Sequence, residues 1–350
     1  MRRLPIYFLI DVSESMVGEP VEQVQNGIRA IVQELRTDPY ALETVFVSVI
    51  VFAGRAKVLT PLTELFKFYP PVIPVGGGTS LGNALDFLMN DIDCSIRNTT
   101  LQAKGDWKPI VFLFTDGTST DNPASAVKKW NEKYRNRCSL VAISLGDNVD
   151  TQFLGTLTDN VLLLKETDEH SFKAFFKWVT ASIKTSSISV AQTANDELKL
   201  APLELINLEK ADIKTNCKID ENFAVVTGKC QTSGKLYLIK YAKRLKPLGI
   251  KGLESFNVTD FKLVGAYPVD EAAYKNLSDS MQTRRNINTR ELVGQPACPC
   301  CGNQLGFVVC ECGHIFCVGE DVHCRCPWCG MEGILTEAKA EGMNVNRARG

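Results

Sequence analysis

The chain is predicted to be an α/β protein: a doubly wound, mostly parallel sheet, followed by a small β-rich domain and a zinc-binding module. Three observations predict this. Short apolar runs alternate with helix-period segments up to about residue 185. Residues 201–294 carry strand-like runs separated by Gly and Asn, without strong helices. Nine of the 13 cysteines crowd between 298 and 329. Strands that alternate with helices fold as a parallel sheet covered on both faces. A chain of 350 residues has room for two or three domains. The expected divisions are 1–187, 201–294 and 295–335, with a small polar linker at 185–200 and a frayed polar tail.

The strand candidates are 5–10, 45–52, 109–115, 139–145 and 161–164. Each is short, rich in β-branched and aromatic residues, and bounded by turn formers. "IVFLFT" is apolar throughout, as burial on both faces requires. Helix candidates lie between them at 19–36, 80–92, 123–136, 150–156 and 170–184. In the first, Val21, Val24, Ile28, Ile31, Val32 and Leu35 recur at helical spacing. Further on, "FAVVTG", "KLYLIKYAK" and "FKLVGAY" read as short strands.

A formal net charge of −1 gives no global attraction to nucleic acid or to an anionic membrane. No apolar run reaches the roughly 18 residues of a membrane span. Asp11 stops the first apolar run after six residues, too soon for a secretory signal. The expected location is the cytoplasm, where clustered cysteines bind metal rather than form disulfides.

The first strand ends in "DVSES", which supplies Asp11, Ser13 and Ser15. A later loop, "VGGGTSLG", supplies Thr79, and "FTDGTS", after the strand "IVFLFT", supplies Asp116. Ligands of parallel α/β sheets bind at the carboxyl ends of the strands. Carboxylates and hydroxyls without sulfur or imidazole suit a hard cation such as Mg²⁺. A phosphatase of the haloacid dehalogenase type would need a second acid where Ser13 stands. A phosphate loop would need a Lys that "GGGTS" lacks. Asp147 and Asp150 read as a solvated turn and a helix cap, and His170, His314 and His323 form no Ser–His–Asp set.

These three motifs, in this order, resemble the von Willebrand factor A domain family over roughly residues 4–185. The resemblance implies that Asp11, Ser13, Ser15, Thr79 and Asp116 serve one Mg²⁺ (or Mn²⁺) in a metal-ion-dependent adhesion site. It also implies that an acidic side chain of a protein partner completes the coordination, so that the site docks rather than catalyses.

The cysteine-rich stretch offers Cys298-x2-Cys301, Cys310-x-Cys312, His314, Cys317, Cys324 and Cys326-x2-Cys329. Two C-x2-C turns around further ligands are a strong zinc signal. Two tetrahedral ions need eight ligands, so one of these nine is in excess; Cys300 reads as a bystander. "CGHIFC" followed by "CPWC" resembles a RING finger, but Glu320 stands where another Cys is due. Cys324 or His323 substituting there, or Cys310 completing a set, are the alternatives. An A domain joined to "LVGQPACPCCGNQ…CPWCG" resembles the bacterial tellurium-resistance TerY family. That resemblance implies a non-enzymatic adaptor in a tellurite or chemical-stress system, working with a protein kinase and a PP2C-type phosphatase. The alternative is a RING-like ubiquitin-ligase component whose A domain selects substrates; a metal-dependent phosphoryl hydrolase is a third reading. The basic run Lys235, Lys240, Lys243, Arg244, Lys246 and Lys251 reads as a polar sheet face, too short for a nucleic-acid site.

Overall fold

The computed structural model describes residues 2–100, 104–116, 119–145, 151–164, 176–186, 201, 209–210, 223–247, 257–278, 285–319, 323–336 and 342–348. They divide into two units. The first is Met1–Val12, Glu19–Ile73 and Thr79–Ile219; the second is Ser13–Gly18, Pro74–Gly78 and Asp220–Gly350.

The first unit is built on β1 (Leu4–Asp11), β2 (Val45–Phe52), β3 (Ala56–Glu64), β4 (Ile110–Thr115), β5 (Ser139–Leu145), β6 (Val161–Leu164) and β7 (Glu209–Lys210). Their order in the sheet is β3-β2-β1-β4-β5-β6-β7. Strands β2, β1, β4, β5 and β6 run parallel, and β3 and β7 close the two edges antiparallel. All five expected strands form. Every residue of β1, β4 and β5 is buried, as expected of central strands covered on both faces.

Alternate residues of these strands enter two cores. Tyr7, Leu9, Val111 and Leu113 pack with Leu85 of α3 (Leu81–Ser95), Trp130 of α4 (Ala124–Lys133) and Leu154 of α5 (Thr151–Leu157). On the other side Phe8 stacks on Phe112, and Phe114 on Phe176 of α6 (176–186). Each such buried ring contributes roughly 1.5–3 kcal/mol through the apolar area it removes from water. Helix α1 (Glu19–Leu35) buries the six expected apolar positions. Its Gly27 allows the close approach of α6, since a Cβ there would lie 2.0 Å from the Phe176 ring. The first residues of the expected helix 170–184 lie outside the described residues.

Helix α2 (Pro39–Thr44) and strands β3 and β7 of this unit were not expected. Helix α2 is started by Asp38, whose carboxylate accepts from the N–H groups of Tyr40 and Ala41. Strand β3 contains Pro61, which an edge strand tolerates because one side of its backbone makes no ladder bonds. No described helix is long and apolar enough to cross a membrane.

The second unit contains an eight-stranded sheet. Strands β11 (Arg285–Asn288), β17 (Asn344–Arg347), β8 (Phe223–Lys229), β9 (Leu236–Pro247), β10 (Asn257–Pro268) and β12 (Leu292–Val293) lie in that order. Strand β14 (Ile315–Val318) pairs with β13 (Leu305–Val309) and, in parallel, with β8. A separate pair is formed by β15 (His323–Arg325) and β16 (Glu332–Ile334). A short helix, α7 (Glu271–Leu277), is capped by the Asp270 carboxylate.

The sheet thus crosses the expected division at 294/295, because β14 of the cysteine-rich stretch bonds directly to β8. The tail is not frayed over 344–347: β17 pairs with β11 and β8, and Val345 is buried beside Ile287 and Ile315. Most of the expected linker, 187–200, lies outside the described residues.

Candidate metal centres

In the first unit the chain runs from β1 to β2 and β3 on one side, then returns across β1 to β4 on the other. The reversal places a crevice at the carboxyl ends of β1 and β4, where doubly wound sheets bind ligands. Asp11 is the last residue of β1, and Thr115 ends β4. The Thr115 hydroxyl donates to Asp11 Oδ2 at 2.7 Å, and Asp116 follows directly.

Thr79 lies two residues before α3 and is tied to the loop after β4. Its N–H donates to Thr120 Oγ1 (3.0 Å), and Thr120 N–H donates to the Thr79 carbonyl (2.7 Å). Asp121 accepts from the N–H groups of Gly82 and Asn83 in the first turn of α3. Ser80 N–H reaches the Ala53 carbonyl beyond β2. The loops after β2 and β4 and the segment entering α3 are thereby fixed at one edge of the sheet.

Ser13 and Ser15 follow Asp11 at two-residue steps, in a tight turn over Glu14–Met16. Their hydroxyl oxygens are 3.0 Å apart. Asp11 and Ser13 are 0% exposed, Ser15 1%, Thr79 2% and Asp116 8%. In the first unit the buried oxygens of Asp11, Thr79 and Asp116, carboxylate and hydroxyl without sulfur or imidazole, are of the kind that suits a hard divalent cation, which would satisfy charges otherwise costly to bury.

The second unit gathers cysteines in two groups. Cys230, Cys298, Cys301 and Cys317 form one, and Cys310, Cys312, Cys326 and Cys329 the other. Within each, all four sulfurs lie within 4.8 Å of one another. Cys301–Cys317 and Cys310–Cys329 are 3.7 Å apart, and Cys312–Cys326 3.9 Å. Four sulfurs at about 2.3 Å around one tetrahedral Zn²⁺ would be about 3.8 Å apart, so the groups fit that ion.

Each turn that presents these sulfurs ends in a glycine with positive φ: Gly234, Gly302, Gly313 and Gly330. The N–H of that glycine closes the turn onto the carbonyl of Cys230, Cys298, Cys310 or Cys326. Only glycine enters this left-handed region at little cost, which explains why it recurs.

Backbone N–H groups also point at sulfur: Gln231 N–H at Cys317 and Ser233 N–H at Cys230. Burial raises the Cys230 thiol, but the hydrogen bonds from Ser233 outweigh it and bring the group down to about 6. The Met331 N–H lowers Cys329 to about 7. Burial drives Cys310 up to about 12 and Cys317 up to about 11. A bound cation would displace the protons that these buried thiols otherwise keep.

Seven of the nine expected sulfur-site residues fall into the two groups. His314 and Cys324 fall into neither. His314 stacks on Trp328, with ring centroids 4.8 Å apart, and Cys324 Sγ lies 3.6 Å from the Gly333 carbonyl. The place they leave is taken by Cys230, which reads in sequence as an isolated cysteine. Its only signal is the glycine four residues on, the same spacing as in Cys298–Gly302 and Cys326–Gly330. Cys300, expected as a bystander, belongs to neither group. Glu320, at the deviant RING position, lies outside the described residues, as do His170, Asp147 and Asp150. The basic run is partly structural: Lys240 is buried, and Arg244 makes a two-pronged ion pair with Asp260.

Two family models match this chain. The von Willebrand factor type A domain covers residues 6–177, and the TerY-C metal binding domain covers 220–350. The chain has the TerY architecture. Its A domain is similar to solved structures over about half the chain. One is a von Willebrand factor type A protein from Catenulispora acidiphila: 16% identity, TM-score 0.40, covering 52% of this chain and 43% of that one. Another is proximal thread matrix protein 1 from the mussel byssus, with a zinc-occupied MIDAS motif: 19% identity, TM-score 0.37, covering 53% and 46%. A third is BatB from Bacteroides thetaiotaomicron: 16% identity, TM-score 0.37, covering 52% and 99%. The chain spans less than half the length of the mussel protein it matches. The TerY-C match takes in Cys230 together with the cysteine-rich stretch, as the sheet does.

Proposed function

We propose that this chain is a non-enzymatic, metal-dependent adaptor that docks a protein partner. In this reading Asp11, Ser13, Ser15, Thr79 and Asp116 hold Mg²⁺ or Mn²⁺, and an acidic side chain of the partner completes the coordination. Two Zn²⁺ ions fold the C-terminal module through the two groups of four cysteines. The observation that carries the reading is the pair of buried carboxylates, Asp11 and Asp116, at the carboxyl ends of the adjacent strands β1 and β4.

The chemistry favours docking over turnover. Phosphoryl transfer needs a cation clamp beside the metal. The loops "DVSES", "GGGTS" and "TDGTS" contain no Lys or Arg, and Lys240, which reaches the serine turn, is engaged by the Ser15 and Val17 carbonyls. The carboxylates and hydroxyls are committed to holding the ion, which leaves no base. The resemblance to the TerY family makes a protein kinase and a PP2C-type phosphatase the first partners to test, in a cytoplasmic tellurite or chemical-stress system. Co-purification of either with the full chain in Mg²⁺, lost in EDTA, is the expected result. Binding indifferent to chelation would refute the docking role.

A further inference from the structure

The segment that carries the two motif serines, Ser13–Gly18, belongs to the second unit, and so does Pro74–Gly78 just before Thr79. Within that unit the serine turn is gripped at four points. Glu14, between the serines, is 3% exposed; its carboxylate accepts from the Tyr274 hydroxyl (2.6 Å) and from Gly78 N–H (2.9 Å). Lys240, 4% exposed, donates through Nζ to the Ser15 carbonyl (2.5 Å) and the Val17 carbonyl (3.4 Å). Val17 packs against Val225 and Leu238. Gly18 has φ +87°, and a Cβ there would lie 2.7 Å from the Tyr267 ring. The glycine segment is held too, by Gly77 N–H donating to Ser278 Oγ at 2.9 Å.

A buried carboxylate and a buried ammonium are expensive unless each meets its partners in good geometry. They therefore select one arrangement of the turn. Lys240 stands on β9 opposite Val225 of β8, and β8 runs directly on to Cys230. Tyr274 and Ser278 lie on α7 and at its end. The backbone that presents Ser13 and Ser15 is thus set by side chains of the TerY-C region. A metal site works only when its ligands are held within about 0.5 Å of their places.

We infer that Lys240 and Tyr274 are positioning residues for the oxygen site: they fix the Ser13–Glu14–Ser15 turn, so that cation affinity in the A domain depends on the C-terminal fold. The inference rests on the Mg²⁺/Mn²⁺ reading above. Groups that orient metal ligands from behind typically change affinity 10- to 100-fold when removed. The test is Mn²⁺ titration of the zinc-replete full chain, followed by electron paramagnetic resonance, with zinc content and the Tm without Mn²⁺ measured in parallel. Lys240→Met and Tyr274→Phe are expected to weaken Mn²⁺ binding about tenfold or more, with zinc content unchanged. Tyr274→Phe keeps the ring and decides the matter if Lys240→Met does not fold. A lower Tm with Mn²⁺ affinity within twofold of wild type, the mark of a merely structural role, would overturn the inference alone. No Mn²⁺ binding by the wild type would overturn the reading beneath it.

Discussion

Cys230→Ser is the substitution that best separates the three-dimensional ligand set from the one legible in sequence. Cys230 closes one group of four sulfurs from a position 68 residues before Cys298 (298 − 230). A structural zinc site is worth roughly 10–16 kcal/mol in apparent binding free energy. Shared over four thiolates, that is about 3 kcal/mol each, or about a hundredfold in zinc affinity. The assay is competition with a chromogenic chelator on the full chain, with total zinc counted after denaturation. One of two zincs is expected to become chelator-labile in Cys230→Ser, while the second stays tight. His314→Ala and Cys324→Ser are expected to hold both as the wild type does. Two tight zincs in Cys230→Ser, or loss of one in Cys324→Ser, would refute the assignment and return the site to the consecutive stretch.

Two further predictions concern the A domain. Gly27→Ala places a methyl 2.0 Å from the Phe176 ring, an overpacking expected to cost about 1–3 kcal/mol in urea unfolding, against the gain that Ala brings to an open helix position. Cys138 is 2% exposed, and burial pushes its thiol up to about 12, so it is expected to resist iodoacetamide at neutral pH while exposed Cys94 is alkylated, as read by peptide mass mapping.

Local signals carried most of the fold. The central strands were legible because burial on both faces leaves continuous apolar runs, as in "IVFLFT". Each oxygen motif sits in one short stretch of sequence, at the ends of β1 and β4 or just before α3, where a local pattern can show it. Strand β3 escaped because Pro61 and a half-exposed pattern weaken its signal, and its pairing to β2 fixes it instead. Cys230 escaped because membership in a metal group is a property of the β8–β14 pairing, which no sequence window contains. His314 and Cys324 were drawn in by proximity along the chain, whereas the knuckle geometry turns the Cys310–Cys312 and Cys326–Cys329 sulfurs inward without them. The tail strand β17 has one strongly apolar residue, Val345, and exists because the partners on both sides accept it.

The central claim is that a divalent cation on buried oxygens makes this chain a docking protein. The most direct measurement is the affinity of the full chain for a captured kinase or phosphatase partner, titrated in Mg²⁺ and in EDTA, with wild type and Asp11→Ala. Zinc content and Tm serve as controls that the variant folds. The account predicts binding by the wild type in Mg²⁺, and a loss of tenfold or more both on chelation and in Asp11→Ala, the scale on which removing a metal-site group acts. Equal affinity in Mg²⁺ and EDTA, or undiminished binding by a folded Asp11→Ala chain, would contradict it.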